Sequence, residues 1–237
     1  MEKDEMDAVL GSNSLGGLEL SNGCRVIHVP SYLQGLYAAC QELGIFEWRI
    51  TNDLTDVAKH EVIVWAGGAG MLQDGALDQA LIPVELVRGQ SLEMKPSCNI
   101  PREAALCGKY TSPLLDNRML VGASHEFSED PMTEVELFND LKEKAYDLAP
   151  GLWDNSTIDK VTCGWRVQSK RGGLGRLPIV GHLSKNQWIY TGLSSRGLLY
   201  HAIYAEILCS MMLSGDNGEA LTREHSHLSW WRYTSKS

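Results

Sequence analysis

The sequence predicts an α+β fold, an α/β remnant beside an antiparallel or mixed sheet, and three observations lead there. The apolar run Glu61 to Ala66 is rich in β-branched residues and ends in Gly67-Gly-Ala-Gly70. Too short for a helix, it fits a buried strand of a parallel sheet with glycines at its carboxyl end. After Pro83 the pattern changes to hairpins, with strand candidates at Val84 to Met94, Ala104 to Tyr110 and Arg118 to Gly122 set apart by Pro, Asn, Asp and Gly. Lastly, Trp188 to Thr191 leads through a polar turn flanked by Gly192 and Gly197 into an apolar helix.

The remaining elements follow in order. Residues 1–23 are glycine- and serine-rich, with little periodicity beyond Met6, Val9 and Leu10. Cys24 to Val29 reads as a short strand. Pro30-Ser31 then opens a helix in which Leu33, Leu36, Tyr37, Cys40 and Leu43 keep helical spacing until Gly44 stops it. Asp130-Pro-Met-Thr133 starts another helix, with Val135, Phe138, Leu141, Ala145 and Leu148 on one face and Pro150-Gly151 at its end. Thr157 to Gln168 reads as a long strand and Leu177 to Val180 as a short one. In the last helix Leu198, Ala202, Ala205, Cys209 and Met212 form one stripe and Ile203, Ile207 and Met211 a second, which predicts packing on most sides. The tail after Ser214 is polar except for Leu228, Trp230 and Trp231.

At 237 residues the chain can build one large domain or two modest ones without disulfide support. Its six cysteines, Cys24, Cys40, Cys98, Cys107, Cys163 and Cys209, include no CxxC pair and no zinc-finger spacing. Reduced, mostly buried thiols in an intracellular compartment, cytoplasmic or organellar, are expected. A net charge of -9 weighs against non-specific nucleic-acid binding. A local basic group, Arg166, Lys170, Arg171 and Arg176, reads either as an anion site or as a solvated hairpin. The acidic start Met-Glu-Lys-Asp-Glu is no signal or transit peptide. The run Leu198 to Leu213 contains His201 and Glu206 and falls short of the roughly 20 apolar residues a membrane span needs.

The turn before the last helix carries the clearest chemistry. The first amides of a helix lack intrahelical partners and the peptide dipoles add positive charge there, so an anion, a phosphate or a carbonyl edge is the natural occupant. Gly192 and Gly197 permit close backbone approach, while Ser194, Ser195 and Arg196 add donors. The alternative is that Ser194 or Ser195 caps the helix.

Several segments, in order over residues 17–213, resemble the carboxyl-terminal two-thirds of FAD-dependent oxidoreductases of the D-amino-acid oxidase-like family. That group includes glycine and sarcosine oxidases and the oxidase half of a tRNA-uridine-modifying enzyme. The segments are Gly23-Cys-Arg-Val-Ile-His-Val-Pro30, Val62-Ile-Val-Trp-Ala-Gly-Gly-Ala-Gly70 and Pro83-Val-Glu-Leu-Val-Arg-Gly-Gln90. Gly164-Trp-Arg166, Gly175-Arg-Leu-Pro-Ile-Val-Gly181 and Tyr190-Thr-Gly-Leu-Ser-Ser-Arg-Gly-Leu198 complete the series.

The resemblance implies a division into parts: residues 1–82 as a partial FAD-binding region, 83–163 as a substrate-binding sheet domain, 164–213 as the return to the FAD-binding region, and 214–237 as a polar tail. It places Ala66, Gly67 and Gly68 along FAD, and the amides of Ser194, Ser195, Arg196, Gly197 and Leu198 on the flavin's pyrimidine edge. Gly181 would lie along the ribityl or dimethylbenzene side, with His182 either beside it or in a solvent-facing turn. Arg88 and Gln90 would begin the substrate sheet. Arg166 sits where the family binds a substrate carboxylate, a planar group that suits a guanidinium fork; a structural ion pair is the alternative. The family's Arg-Pro is here Arg166-Val167.

The implied reaction is oxidation of a C–N bond of a small amine or amino acid, and no dedicated general base is assigned. His28, His125 and His201 are read as packing or surface residues, and His225-Ser-His227 lacks zinc-motif spacing. The family's amino-terminal G-x-G-x-x-G turn is not among these residues. The chain therefore reads as a truncated form that lacks an amino-terminal segment, or else as a non-catalytic remnant that binds a protein partner. Without flanking strands, Val62 to Ala66 would expose an apolar edge.

Overall fold

The computed structural model describes residues 1–10, 16–20, 24–44, 47, 49, 54–99, 103–170, 176–228 and 230–234. Along the chain run helices α1 (Lys3–Leu10), α2 (Val29–Glu42) and α3 (Leu54–Val57), strand β1 (Ile63–Trp65) and short helix α4 (Gly70–Gln73). Next come β2 (Val84–Pro96), β3 (Ala105–Cys107), β4 (Lys109–Pro113), β5 (Met119–Gly122), α5 (Glu134–Ala145), α6 (Pro150–Asp154) and β6 (Ser156–Ser169). The chain continues with β7 (Ile179–Ser184), β8 (Gln187–Thr191), α7 (Gly197–Leu213), α8 (Glu219–Glu224) and α9 (Trp231–Thr234). It divides into two compact units, one of residues 1–49 and 88–164, the other of residues 50–87 and 165–237.

The first unit holds a sheet in the order β3-β4-β5-β2-β6, with β3–β4, β4–β5 and β5–β2 paired antiparallel. Helical period sets Leu137, Leu141 and Ala145 on one face of α5, where they pack with Leu92 and Met94 of β2 and Met119 and Val121 of β5. Trp153 closes this core, edge-on to Phe138 at 5.5 Å and donating to the Ala145 carbonyl at 3.3 Å. Pro150-Gly151, expected to end a helix, instead begins α6, because proline at a first helical turn loses no hydrogen bond.

Thr133 starts α5 with a capping box: its backbone N–H donates to Glu136 at 2.8 Å while its hydroxyl accepts from the Glu136 amide. These hydrogen bonds, the backbone one foremost, hold the Glu136 carboxyl below its ordinary value. Thr133→Ala is expected to cost about 1 kcal/mol in urea unfolding. Because the folded carboxyl is depressed, the Glu136 contribution is present above the unfolded glutamate value and is lost as pH falls through the folded one. The difference between parent and variant should therefore shrink in acid; a gap that widens below that range would contradict the assignment.

Cys24 to His28 form no strand, contrary to the sequence expectation; no ladder partner stands beside them among the described residues, and they are exposed. α2 forms as expected but buries none of its residues, leaving Leu33, Leu36 and Tyr37 open.

The second unit is built on a mixed sheet ordered β1-β8-β7, with β1 parallel to β8 and β7–β8 a hairpin. Alternation sends Ile179 and Ile189 to one face, where they meet Met71, Leu72, Ile82, Val84, Val167 and Trp231. Val180 and Trp188 face the other way and pack on Leu208 and Met211 of α7 and on Leu228. The tail, expected to be a polar appendage, thus supplies one large side chain to each core, Trp231 at 4% and Leu228 at 1% exposure. Trp230 adds a bond to the Pro178 carbonyl at 3.1 Å.

Two further expectations are corrected. Only Leu208 and Met211 of α7 are fully buried, and Leu199 and Ile203 stand 66% and 57% exposed, so the helix is packed on one stripe rather than on most sides. All six cysteines are exposed: Cys40, Cys107, Cys163 and Cys209 fall on outward positions of helices or strands, and Cys24 and Cys98 lie outside them. The outer side of β1 pairs with nothing among the described residues, and Val62 and Val64 are exposed, as a strand without flanking neighbours requires.

Candidate functional site

The parallel register of β1 and β8 matches Ile63 with Gln187, Val64 with Trp188 and Trp65 with Ile189. The Trp65 indole N–H fixes that register by donating to the Gln187 side chain at 3.0 Å. Both strands run in the same direction, so the Ala66–Gly68 segment after β1 and Gly192 after β8 leave the sheet at the same end. Two glycine segments far apart in sequence therefore share the carboxyl end of a parallel strand pair, the place where open α/β sheets bind ligands. Gly68 has φ +61 and a Cβ added there would meet nothing within 4 Å. Gly192 has φ +72, and its backbone lies so close to β7 that an added Cβ would stand 3.2 Å from the Ile179 amide nitrogen.

Beyond Gly192 a single 3-10 turn, Ser194–Arg196, feeds α7. Arg196 occupies the N-cap position without a capping bond, and Ser194 does not cap the helix, since its hydroxyl donates to Gln168 at 3.4 Å. Ser194 has φ +54, a left-handed conformation that costs a non-glycine residue about 1–3 kcal/mol and must be held by its surroundings. The Tyr190 phenol donates to the His201 carbonyl at 2.6 Å, tying the first turns of α7 to β8. Burial pushes that phenol up to about 12, which keeps it a neutral donor. The Thr191 hydroxyl is buried without a hydrogen-bond partner.

A polar group that the sequence did not single out stands behind the turn. Gln168, 1% exposed, pairs by its backbone with Leu193 in an antiparallel bridge. Its side-chain N–H donates to the Glu85 carboxylate at 2.7 Å, and its side-chain oxygen accepts from the Arg176 guanidinium as well as from Ser194. Arg176 also lies 3.7 Å from Glu85. Arg176 is half-buried and engaged with both Gln168 and Glu85. The legible signal was a glutamine among inward-facing strand positions, where a buried amide demands partners.

Arg166 is half-buried on β6 and, by strand alternation, shares its face with Gln168. Gly181 lies inside the β7–β8 hairpin opposite Ile189 and is buried. His182 engages the Lys185 carbonyl at 2.7 Å and the Trp188 ring at 5.0 Å. Arg88 and Gln90 belong to the first unit. There Arg88 donates to the Glu129 carbonyl, and the Gln90 amide group both accepts from and donates to the Met132 backbone, at 2.8 and 3.1 Å. Ser195, Arg196 and Leu198 are exposed. Gly23, Arg171 and Gly175 lie outside the described residues. Among the described residues there is no group of three or more His, Cys, Asp or Glu that could hold a metal ion, and no helix long and apolar enough to cross a membrane.

A family model described as FAD dependent oxidoreductase matches residues 1–211. Among solved structures, the chain is similar to a glycine oxidase from Bacillus cereus ATCC 14579 at 18% identity and a TM-score of 0.55, over 68% of this chain and 44% of that one. It is similar to an iminodiacetate oxidase from Chelativorans sp. BNC1 at 23% identity and a TM-score of 0.53, over 68% of this chain and 44% of that one. For a glycine oxidase from Geobacillus kaustophilus the values are 21% and 0.52, over 65% and 41%. At such identities the likeness is one of fold, and the chain spans less than half the length of each. No curated protein matches it.

Proposed function

Because the chain belongs to the family of FAD dependent oxidoreductases, we propose that it carries the flavin-facing part of an enzyme that oxidises a C–N bond of an amine or amino acid. The observation that carries this reading is the parallel register of β1 and β8, which sets the Ala66–Gly68 segment and the Gly192–Leu198 turn at one end of the sheet. The residues there fit the polar edge of an isoalloxazine. Cβ atoms added at Gly68 and Gly197 would meet nothing within 4 Å, so backbone can lie flat against a ring. At the start of α7 no capping bond from Arg196 stands in the way of backbone donors reaching carbonyl oxygens.

Bound FAD would supply the acceptor for the hydride removed from the nitrogen-bearing carbon, the nitrogen losing a proton as the C=N bond forms. On this reading Ala66, Gly67 and Gly68 hold backbone against the cofactor and Gly181 lies on its far side. Ser194, Ser195, Arg196, Gly197 and Leu198 face the pyrimidine edge, and Arg166 receives a substrate carboxylate as a two-pronged donor. Arg88 and Gln90 border the substrate region through the strand that follows Val87. Residues 1–82 and 164–213 then form the cofactor region, 83–163 the substrate sheet and 214–237 the tail.

The pyrophosphate end of FAD has no fit among these residues, because no G-x-G-x-x-G turn occurs in the sequence. We therefore read the chain as a truncated form of a longer flavoenzyme. Its unpaired cysteines support an intracellular setting, cytoplasmic or organellar. Two observations favour a second reading, a non-catalytic remnant that holds a protein partner: the open side of β1 and the exposed apolar face of α7.

The test is a titration of the full chain with FMN and with FAD, followed by quenching of its seven tryptophans. Both are expected to saturate with dissociation constants equal within about threefold, since the adenylate half gains no contacts without its cradle. A protein that responds to neither leaves only the second reading. FAD binding far tighter than FMN would show a pyrophosphate site that this reading denies.

A further inference from the structure

We propose that Gln168 is the positioning residue of the Gly192–Leu198 turn, and that Glu85 and Arg176 fix the direction in which its amide points. The proposal rests on the reading of that turn as flavin-facing. It concerns how the turn is held, and so it can be judged without flavin. A carboxylate only accepts hydrogen bonds and a guanidinium only donates them, so the two partners leave one orientation for the amide. The nitrogen faces Glu85 at 2.7 Å and the oxygen faces Arg176.

With that choice made, the oxygen is also presented to the Ser194 hydroxyl at 3.4 Å, and the Gln168 backbone bridges Leu193 beside it. The reversed amide would aim N–H groups at Arg176 and an oxygen at Glu85, repelling both. Gln168 is 1% exposed, so water does not substitute for these partners. Ser194 needs such support, because it holds a left-handed φ of +54 without being glycine. Sequence distance argues the same way: Glu85, Gln168 and Ser194 come from three separate segments, and the backbone of Lys170 adds a bond to the Pro83 carbonyl at 2.8 Å that fixes two of them together.

A charge-swap series tests this in the full chain. Gln168→Glu places a second carboxylate against Glu85 and removes the donor between them. Amide hydrogen exchange at residues 192–198 is expected to rise about tenfold, while the β7–β8 ladder, Ile179–Thr191, keeps its parent rates. The double variant Gln168→Glu with Glu85→Gln restores a donor facing an acceptor and leaves Arg176 its acceptor, so exchange at 192–198 should return to within about threefold of the parent.

Parent-like exchange in the single variant, a double variant that fails to recover, or equal loosening of the β7–β8 ladder would each overturn the positioning role. FMN titration of the same three proteins separates this from the flavin reading. Binding that weakens in the single variant and recovers in the double supports both. A parent that binds no FMN removes the flavin reading, and the exchange rates still decide the role of Gln168.

Discussion

Replacing Trp231 by alanine is expected to lower stability by about 3–5 kcal/mol, the range for emptying a buried aromatic site. The indole is 4% exposed and packs with Ile82, Val84, Val167, Ile179 and Ile189, residues contributed by β2, β6, β7, β8 and the connection before β2. This cluster joins several separate segments, so the loss would fall on the strand layer that carries the Gly192 turn. Urea unfolding followed by far-ultraviolet circular dichroism measures the effect. A change below about 1 kcal/mol, the scale of a surface substitution, would mean that the tail is not docked. Removal of everything after Ser214 takes Leu228 as well, and should leave the second unit unable to unfold cooperatively at ordinary temperature.

The second large effect is predicted at Gly192. Alanine there has to adopt φ +72 and set its Cβ 3.2 Å from the Ile179 nitrogen, a backbone atom that cannot swing aside. About 1–3 kcal/mol of strain is expected, relieved by displacing the turn rather than the hairpin. Gly197→Ala provides the contrast. Its φ is -52 and an added Cβ meets nothing, so it should be neutral or slightly stabilising at the start of a helix. Equal losses at the two positions in paired unfolding curves would refute the distinction.

These contrasts show where sequence reasoning reached and where it stopped. The strand before Gly67, β2, β5, α5 and the strand–turn–helix around Gly192 were legible because each is a local pattern of alternation, capping residues or glycines at turns, whereas Ala104 to Tyr110, expected as one strand, turns back at Gly108 to form β3 and the start of β4. Cys24 to His28 had the composition of a strand, but a strand exists only with a neighbour, and pairing is not a local property. The apolar stripes of α7 indicated what the helix could bury and not what is present to cover it. Trp231 and Leu228 sat in polar surroundings, and nothing local marks two side chains as core when their partners lie tens of residues away. Gln168 escaped notice for the same reason, since its partners Glu85 and Ser194 are remote in sequence.

The Trp65–Gln187 bond spans 122 positions of chain. Each of the two glycine segments can take its local shape soon after it is made, but they meet only when that long loop closes. Closure entropy grows slowly with length, about 0.6 kcal/mol per doubling, whereas the time to find so distant a partner grows with topology. The β1–β8 contact is therefore expected to form after the local turns. On a ribosome the end of the sheet where the Gly68 and Gly192 segments leave it cannot exist until β8 and Gly192 have emerged, more than 120 residues after β1.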